Sequence, residues 1–380
     1  MNFLQTLQQE FRTVFSDVAI VLTIFGGVIL YSFLYPQPYA HESVSSLPVS
    51  VVDYDKSDKS RDLVFKLDAT PQILVKREDL SEEDAKAALL RGDIKAIIII
   101  PAHFKRDISL KKSPTIALGA DSSYFLIFGG VLEAAMKSIL TESASIKIGT
   151  KLTQNIPIEA AKKEYTPYVL KTINLFNKNN SYTQYVIPAV FVLILQQTML
   201  IGLAILGGGV RERAYKHYNY NTSTLNIMAS HFIIFFSIFF IHLLFYFGFS
   251  FEYFGVTHLA QMGDLLKFSF AFLVATVFFG IFLGSIFSSR EIATPVILFS
   301  SLPLVFSAGF VWPLEALPEW LRVISNFIPS TPAIEGFLKL NQMGASFDMI
   351  LDNYVILLIQ ATIYAILGYY FIKKQRKNIG

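Results

Sequence analysis

The sequence contains no cysteine, and charged residues make up only 16% of it. The absence of cysteine excludes disulfides, thiolate metal ligands and a cysteine nucleophile, so each domain must be held together by its core. Soluble domains carry about 25% charged residues. Here 53% of the residues are hydrophobic and the mean hydropathy is +0.48, which excludes an ordinary soluble protein and a disordered one. The net charge of +3 is too small to indicate a nucleic-acid partner.

The short motifs of nucleotide binding and hydrolysis are also missing. No Gly-x-x-x-x-Gly-Lys-Ser/Thr segment occurs, and the run Gly207–Gly209 has no lysine, so we expect no ATP bound through a P-loop. Neither His-Glu-x-x-His nor the Gly-x-Ser-x-Gly nucleophile turn is present. We therefore expect no catalytic residue, no metal site and no cofactor on this chain.

Six apolar runs free of Asp, Glu, Lys and Arg follow one another along the chain. A helix needs roughly 20 apolar residues to cross the hydrocarbon core of a bilayer. The runs close to this length are 18–35, 185–206, 227–249, 268–287, 292–311 and 354–372. We interpret them as transmembrane helices 1 to 6.

Residues 1–17 place apolar residues at helical spacing between glutamines, which predicts an amphipathic helix in the membrane interface. A cytosolic helix packed on a partner is the alternative. Basic residues in the short connections indicate the orientation of the spans. They lie after the second, fourth and sixth runs, the last of them in the basic tail 373–380, so we expect both termini in the cytoplasm.

Most charged residues lie between 36 and 183, a segment that this orientation places outside the cytoplasm. Four stretches rich in β-forming residues predict strands, and helical runs separate them. The stretches are VSVVDYD at 49–55, QILVK at 72–76, KAIIIIP at 95–101 and TIALGAD at 115–121. This alternation indicates a small α/β or α+β domain, with Ile97–Ile100 as a central buried strand.

Ser81 and Asp84 predict a helix start of the capping-box type, and Gly92 predicts its end. From Tyr124 to about residue 178 the pattern is helical, with prolines at 157 and 167, so long helices should lead back to the membrane. The predicted fold class is an α-helical polytopic membrane protein. Six transmembrane helices have both termini inside, and an extracytoplasmic α/β domain is inserted between helices 1 and 2. Helices 2 to 6 form a bundle over 184–372.

Polar side chains in the second and fifth spans are candidates for a substrate pathway. They are Gln196 and Gln197 with nearby Met199, and Thr294, Ser300 and Ser301. Two adjacent glutamines cannot share one helix face, so at least one should meet another helix or an aqueous cavity. Hydrogen bonding between helices explains them equally well. His231 and His242 in the third span are better explained by helix packing than by transport.

The connection between the second and third spans, residues 209–223, is short, basic and aromatic. It holds Arg211, Glu212, Arg213, Tyr215 and Lys216. A positively charged anchor would need only the basic residues, so this composition suggests a docking surface for a cytosolic protein.

Residues 312–340 are rich in proline and contain both tryptophans of the chain. Because tryptophan favours the membrane–water interface, we predict two short re-entrant helices that dip into the outer leaflet. A plain external loop with two short helices is the alternative. The residues that define this motif are Gly309, Phe310, Trp312, Pro313, Pro318 and Trp320.

Four stretches together resemble the permease subunits of type-2 ATP-binding-cassette (ABC) exporters, in the drug and lipid efflux branch with a large extracytoplasmic domain. They are VSVVDYDKSDKSRDL at 49–63, ALLRGDIKAIIIIPAHFKRDI at 88–108, VRER at 210–213 and SAGFVWPLEALPEWLRVISNFIPSTPAIEG at 307–336. The last is the most specific, because its prolines and tryptophans are unusually spaced. The family often continues the third stretch as Glu-Arg-Glu-x-Gly-Thr, whereas Ala214-Tyr215-Lys216-His217 follows here.

The resemblance implies a mode of action. Two permeases, either two copies of this chain or this chain and a paralogue, would form a dimer in a bacterial inner membrane. Separate cytosolic ABC ATPases would bind ATP and Mg and dock at Arg211, Glu212 and Arg213. Spans two and five would line the pathway for a hydrophobic or amphipathic substrate, and residues 312–336 would lie at its outer mouth. The outer domain would hand the substrate to a periplasmic adaptor and an outer-membrane duct.

Two other functions compete with the exporter hypothesis. A non-transporting membrane receptor or scaffold would explain a ligand-binding outer domain, but it gives no reason for five clustered C-terminal spans. A membrane enzyme acting on lipid would need a cluster of catalytic polar residues near the interface, and the sequence offers no convincing one. The exporter hypothesis is therefore favoured.

Overall fold

The computed structural model describes residues 2–39, 45–110, 112–120, 125–152, 157–158, 176, 183–184, 186–215, 222–312 and 314–379. The chain divides into two compact units. One unit consists of residues 1–42 and 174–380, and the other consists of residues 43–173.

The first two helices form an elbow. Helix α1 (Phe3–Ser16) begins at a capping box formed by Asn2 and Gln5, and it meets α2 (Val18–Leu34) at an angle of 77°. The break falls at Asp17, whose backbone is extended and whose side chain accepts hydrogen bonds from the first backbone amides of α2. The helix predicted over 1–17 is confirmed, and its position at the membrane surface stays a prediction.

The face of α1 that packs on the bundle is not its most apolar one. Glu10 is fully buried there, beside Val14, whereas Leu4, Phe11 and Phe15 are exposed. Such an exposed apolar face suits a helix that lies on lipid.

The unit formed by 43–173 contains a four-stranded sheet of order β2-β1-β3-β4. The strands are β1 (Leu47–Asp53), β2 (Ile73–Glu78), β3 (Ala96–Ile100) and β4 (Ala117–Ala120). The first three are parallel and β4 is antiparallel to β3. All four predicted strands are confirmed, and β3 is an inner, buried strand as expected.

Three helices connect the strands of this sheet, a fourth follows β4, and together they cover both of its faces. They are α3 (Asp58–Asp68), α4 (Glu82–Arg91), α5 (Phe104–Ser109) and α6 (Phe125–Leu152). Ser81 caps the start of α4 through the Asp84 amide, and Gly92 ends it with a left-handed φ of 83°, as predicted. Of the helical stretch predicted from 124 to 178, α6 is present. Its continuation past Pro157, including Pro167, lies largely outside the described residues.

The unit formed by 1–42 and 174–380 is a helical bundle. Its helices after α2 are α7 (Val186–Arg211), α8 (Thr224–Tyr253), α9 (Met262–Ile286), α10 (Arg290–Ser307), α11 (Glu319–Ser325), α12 (Ser330–Asn341) and α13 (Leu351–Ile379). Within the described residues five of these are long and apolar enough to cross a membrane, and six if α1 and α2 count as one bent span.

Helix α7 is the centre of the bundle. It packs against α9, α10, α12 and α2, and nearly all of its side chains are buried. Helix α10 is the opposite case, because few of its side chains are buried and large apolar ones point outward.

One predicted boundary is wrong. The fifth span was expected to reach Val311, but α10 ends at Ser307. Gly309 has a φ of 86°, a conformation that glycine adopts without strain and that a helix does not contain. The two short helices predicted in 312–340 are present as α11 and α12.

Candidate functional site

The predicted docking segment begins where α7 ends. The amide of Ala214 donates to the carbonyl of Gly209 at 2.9 Å, and that of Arg213 donates to Val210 at 3.2 Å. This pattern is a Schellman motif, and it places Arg213 in the left-handed region with a φ of 56°. A non-glycine residue pays roughly 1–2 kcal/mol for that conformation. The turn therefore fixes the direction in which the segment leaves the bundle.

Arg211, the last residue of α7, binds the end of a neighbouring helix. Its Nη1 donates to the carbonyl oxygen of Ile286 at 3.1 Å and approaches that of Phe287 at 3.5 Å. Ile286 is the last residue of α9 and Phe287 is its C-cap, so no further amide of the helix can pair with these carbonyls. Arg211 thus ties the end of α7 to the end of α9. Glu212 and Arg213 are exposed beyond it.

The three glycines Gly207–Gly209 allow close packing at the same end of the bundle. A Cβ on Gly207 would lie 2.2 Å from the carbonyl oxygen of Gly284 in α9. A Cβ on Gly208 would lie 2.7 Å from the backbone nitrogen of Arg290. The glycine run, which lacks the chemistry of a phosphate loop, therefore serves contact between backbones.

Tyr215 turns back into the bundle. Its ring lies against Gly209, where a Cβ would come within 2.7 Å of the hydroxyl, and the hydroxyl donates to Oδ2 of Asp17 at 3.1 Å. Burial and the neighbouring Asp17 carboxylate raise the pKa of Tyr215, so it stays a hydrogen-bond donor at neutral pH. Lys216, also predicted in this segment, lies outside the described residues.

Asp17 also belongs to this site, although no sequence pattern identifies it. Besides Tyr215, its carboxylate accepts from Nη2 of Arg290 at 2.9 Å and 2.8 Å. We name Asp17, Tyr215 and Arg290 the Asp17 cluster. The only signal for Asp17 in the sequence is its position as a single acidic residue between an amphipathic helix and an apolar run. This signal does not indicate which residues bind its carboxylate.

The two glutamines of the predicted pathway point to different helices. Nε2 of Gln196 donates to Oγ of Ser330 in α12 at 3.0 Å, and Nε2 of Gln197 donates to Oγ of Ser301 in α10 at 2.6 Å. Gln197 also lies 3.4 Å from Ser300. Both amide oxygens are buried and lack a hydrogen-bond partner within the described residues. An unpaired acceptor thus remains beside α12 at Gln196 and beside α10 at Gln197.

Some of the remaining residues predicted for the substrate pathway and for the re-entrant motif are buried, and others are exposed. Met199 is fully buried, and Thr294 is half-buried. Gly309 provides the turn after α10, with Phe310 buried behind it, and Pro318 precedes α11. Trp312 and Trp320 are exposed, and Pro313 lies outside the described residues.

The outward face of α10 is apolar in the single chain. Phe299 is 82% exposed, and Val296, Leu302 and Phe306 are exposed with it. This face adjoins the serines that bind Gln197. An exposed apolar face of this size requires lipid or another protein as its neighbour.

The two histidines of α8 pack against neighbouring side chains, as predicted. Nε2 of His231 lies 2.9 Å from Oε2 of the buried Glu10, and His242 makes edge contacts with the rings of Phe25 and Phe239. Across the described residues, no group of three His, Asp or Glu side chains is arranged to hold a metal ion.

Comparison with known families gives a match over most of the chain. The model of the family described as ABC-2 family transporter protein matches residues 18–370. No curated protein matches the sequence. The matched range contains the whole bundle except α1 and the last residues of α13, and it also contains the four-stranded sheet.

Proposed function

The chain belongs to the ABC-2 transporter family and is a multi-pass membrane protein, and we propose that it is the permease subunit of an ABC exporter. In this proposal a separate cytosolic ATPase carries ATP and Mg, and the chain itself holds no cofactor. In this proposal the chain crosses the inner membrane of a bacterial cell six times with both termini in the cytoplasm, and residues 36–183 lie outside that membrane. The transported substrate is hydrophobic or amphipathic.

The end of α7 is the observation that carries the docking part of this proposal. The helix ends in a hydrogen-bonded Schellman turn, its backbone touches α9 and α10, and Glu212 and Arg213 project beyond it. A force applied to those two residues is passed directly to the most buried helix of the bundle. The positive-inside rule places this end in the cytoplasm, where an ATPase is available.

The exposed face of α10 supports the dimer part. In a pair of permeases this face of each chain meets the other across a central space, and the Gln197–Ser301 contact lies beside it. Apolar side chains with a few polar groups suit an amphipathic substrate. The dimer is a homodimer or a pair with a paralogue, and the unit formed by residues 43–173 passes the substrate to a periplasmic adaptor and outer-membrane duct.

Affinity purification of the tagged chain from its native membrane in mild detergent tests the proposal. Mass spectrometry should find a P-loop ATPase at about one copy per permease. Recovery of the chain alone, or with extracytoplasmic proteins only, would overturn the exporter and favour a receptor or scaffold.

Charge reversal at Glu212 tests the docking surface itself. Glu212→Lys should lower ATPase recovery or substrate-stimulated hydrolysis while membrane insertion stays normal. Glu252→Lys is the matched control, because Glu252 is also exposed but lies near the end of α8, in the connection to α9. Equal ATPase recovery and export in both variants would contradict docking at Glu212.

A further inference from the structure

We propose that Asp17 is a positioning residue that couples the docking segment to the second and tenth helices during transport. The inference rests on the proposed function and adds a specific route to it. The route runs from the docking segment through the Tyr215 hydroxyl to Asp17, and from Asp17 to the α1–α2 elbow and to Arg290 of α10.

The contacts of the Asp17 carboxylate are its first support. One buried group binds three segments that are far apart in sequence: the start of α2, the segment after α7 and the first residue of α10. Asp17 itself is only 8% exposed. A buried carboxylate keeps its charge only when charged or hydrogen-bonding partners surround it, so a displacement of one partner acts on the others.

The position of Arg290 is the second support. It is the first residue of α10, where the helix dipole is positive and a cation is unfavourable. An arginine at that point does not stabilise its own helix. Its guanidinium instead binds the carboxylate of Asp17 and so connects α10 to the α1–α2 elbow.

The backbone at Asp17 is the third support. Asp17 is extended between two helices that meet at 77°, so rotation about its own φ and ψ changes the angle of α1 to α2 without breaking either helix. The opposite side of the route is stiff, because Gly208 brings α7 against the backbone of Ser289 and Arg290. Movement of the α7 end therefore reaches α10 by contact and reaches the elbow through Asp17.

Two conservative substitutions interrupt the route without removing a packed group. Tyr215→Phe deletes only the hydroxyl, and Asp17→Asn keeps an oxygen for the amides of α2 while removing the charge that binds Arg290. Tyr370→Phe and Asp352→Asn are the matched controls, because both residues are exposed on α13, away from the cluster.

The first measurement needs no ATPase. The chain has no natural cysteine, so Glu212→Cys gives a single site for a spin label. In the purified permease, Tyr215→Phe and Asp17→Asn should make this label more mobile, and the control substitutions should not. An unchanged spectrum in both test variants would overturn the role of Asp17 in holding the segment.

The second measurement is the number of substrate molecules exported per ATP hydrolysed in proteoliposomes with the co-purified ATPase. We expect this ratio to fall about tenfold in both test variants, because each variant loses one hydrogen bond to a charged group. Recovery of the complex with the ATPase should stay normal. A mobile label with an unchanged ratio would make Asp17 a structural link only and would overturn coupling. If no ATPase co-purifies with the wild type, the proposed function is wrong. The mobility of the label then still tests whether Asp17 holds the docking segment.

Discussion

Gly207 of α7 and Gly284 of α9 are in backbone contact, since a Cβ on Gly207 would lie 2.2 Å from the Gly284 carbonyl oxygen. A Cβ on Gly284 would in turn lie 2.6 Å from the carbonyl oxygen of Leu203. Neither neighbour can rotate away, because both are main-chain atoms. This contact sets the separation of the two helices at the end that carries the docking segment.

Gly207→Ala and Gly284→Ala should each force α7 and α9 apart. Overpacking of this kind costs about 1–3 kcal/mol, which should lower the midpoint of thermal unfolding in detergent. Gly263→Ala is the control, because Gly263 is also in α9 but has open space around it. A test variant as stable as the control would contradict the backbone contact.

Gln197→Leu should impair export while it lowers the stability of the fold only slightly. Leucine fills a similar volume, and hydrogen bonds between membrane helices contribute only about 0.6 kcal/mol on average. The substitution removes the amide that binds Ser301 beside the exposed face of α10. We expect a changed rate or substrate range in inverted vesicles, with Ser301→Ala acting in the same direction. Wild-type export by both variants would remove Gln197 from the pathway.

Glu10→Ala should loosen α1 from α8. It leaves the imidazole of His231 without the carboxylate oxygen now 2.9 Å away, and a buried group that loses its partner costs about 1–3 kcal/mol. Glu10→Gln, which keeps a hydrogen-bond partner, should cost less. A double-mutant cycle with His231→Ala measures the contact by thermal unfolding, and additive losses would indicate that the two side chains do not interact.

Asp79, in the unit formed by residues 43–173, predicts a dependence of stability on pH. Burial alone would raise its pKa, but the hydrogen bond from Ser50 and the Arg77 guanidinium outweigh that effect and lower the pKa. A carboxyl with a lowered folded-state pKa stabilises the fold above its unfolded value of about 3.9. The contribution is lost as pH falls through the folded-state pKa.

Asp79→Asn should therefore weaken amide-exchange protection in β1 and β2 at pH 7, and the difference from wild type should shrink in acid. Exchange is measured on the full chain, with both proteins compared at each pH. Asp62→Asn, which removes an exposed ion pair with Lys59, should leave protection unchanged. Equal protection in Asp79→Asn and wild type at pH 7 would refute the prediction.

The sequence was sufficient for the features that depend on local composition. Apolar length located the helices that are long and apolar enough to cross a membrane, and Ser81 and Gly92 marked the ends of α4, because each signal acts within a few residues. The premature end of α10 was missed, since a glycine in a proline-rich stretch does not reveal its φ.

The site depended on contacts that no local pattern records. Asp17 lies 198 residues from Tyr215 and 273 residues from Arg290 in sequence. Arg211 was predicted to face a partner, whereas its guanidinium also closes the end of α9. A basic residue at the end of a helix looks the same in the sequence whether it binds a partner protein or the carbonyls of a neighbouring helix. Only the position of the neighbouring helix distinguishes these two roles.

The unequal burial of α7 and α10 has a consequence for how this protein can diversify. Almost any change in α7 alters several neighbours at once, so most of its variants are removed by misfolding before their transport is tested. Helix α10 has few such neighbours within the chain, and its exposed positions tolerate exchange of one apolar side chain for another. Inherited or engineered changes in cargo preference should therefore accumulate in α10, while α7 remains nearly invariant among functional variants.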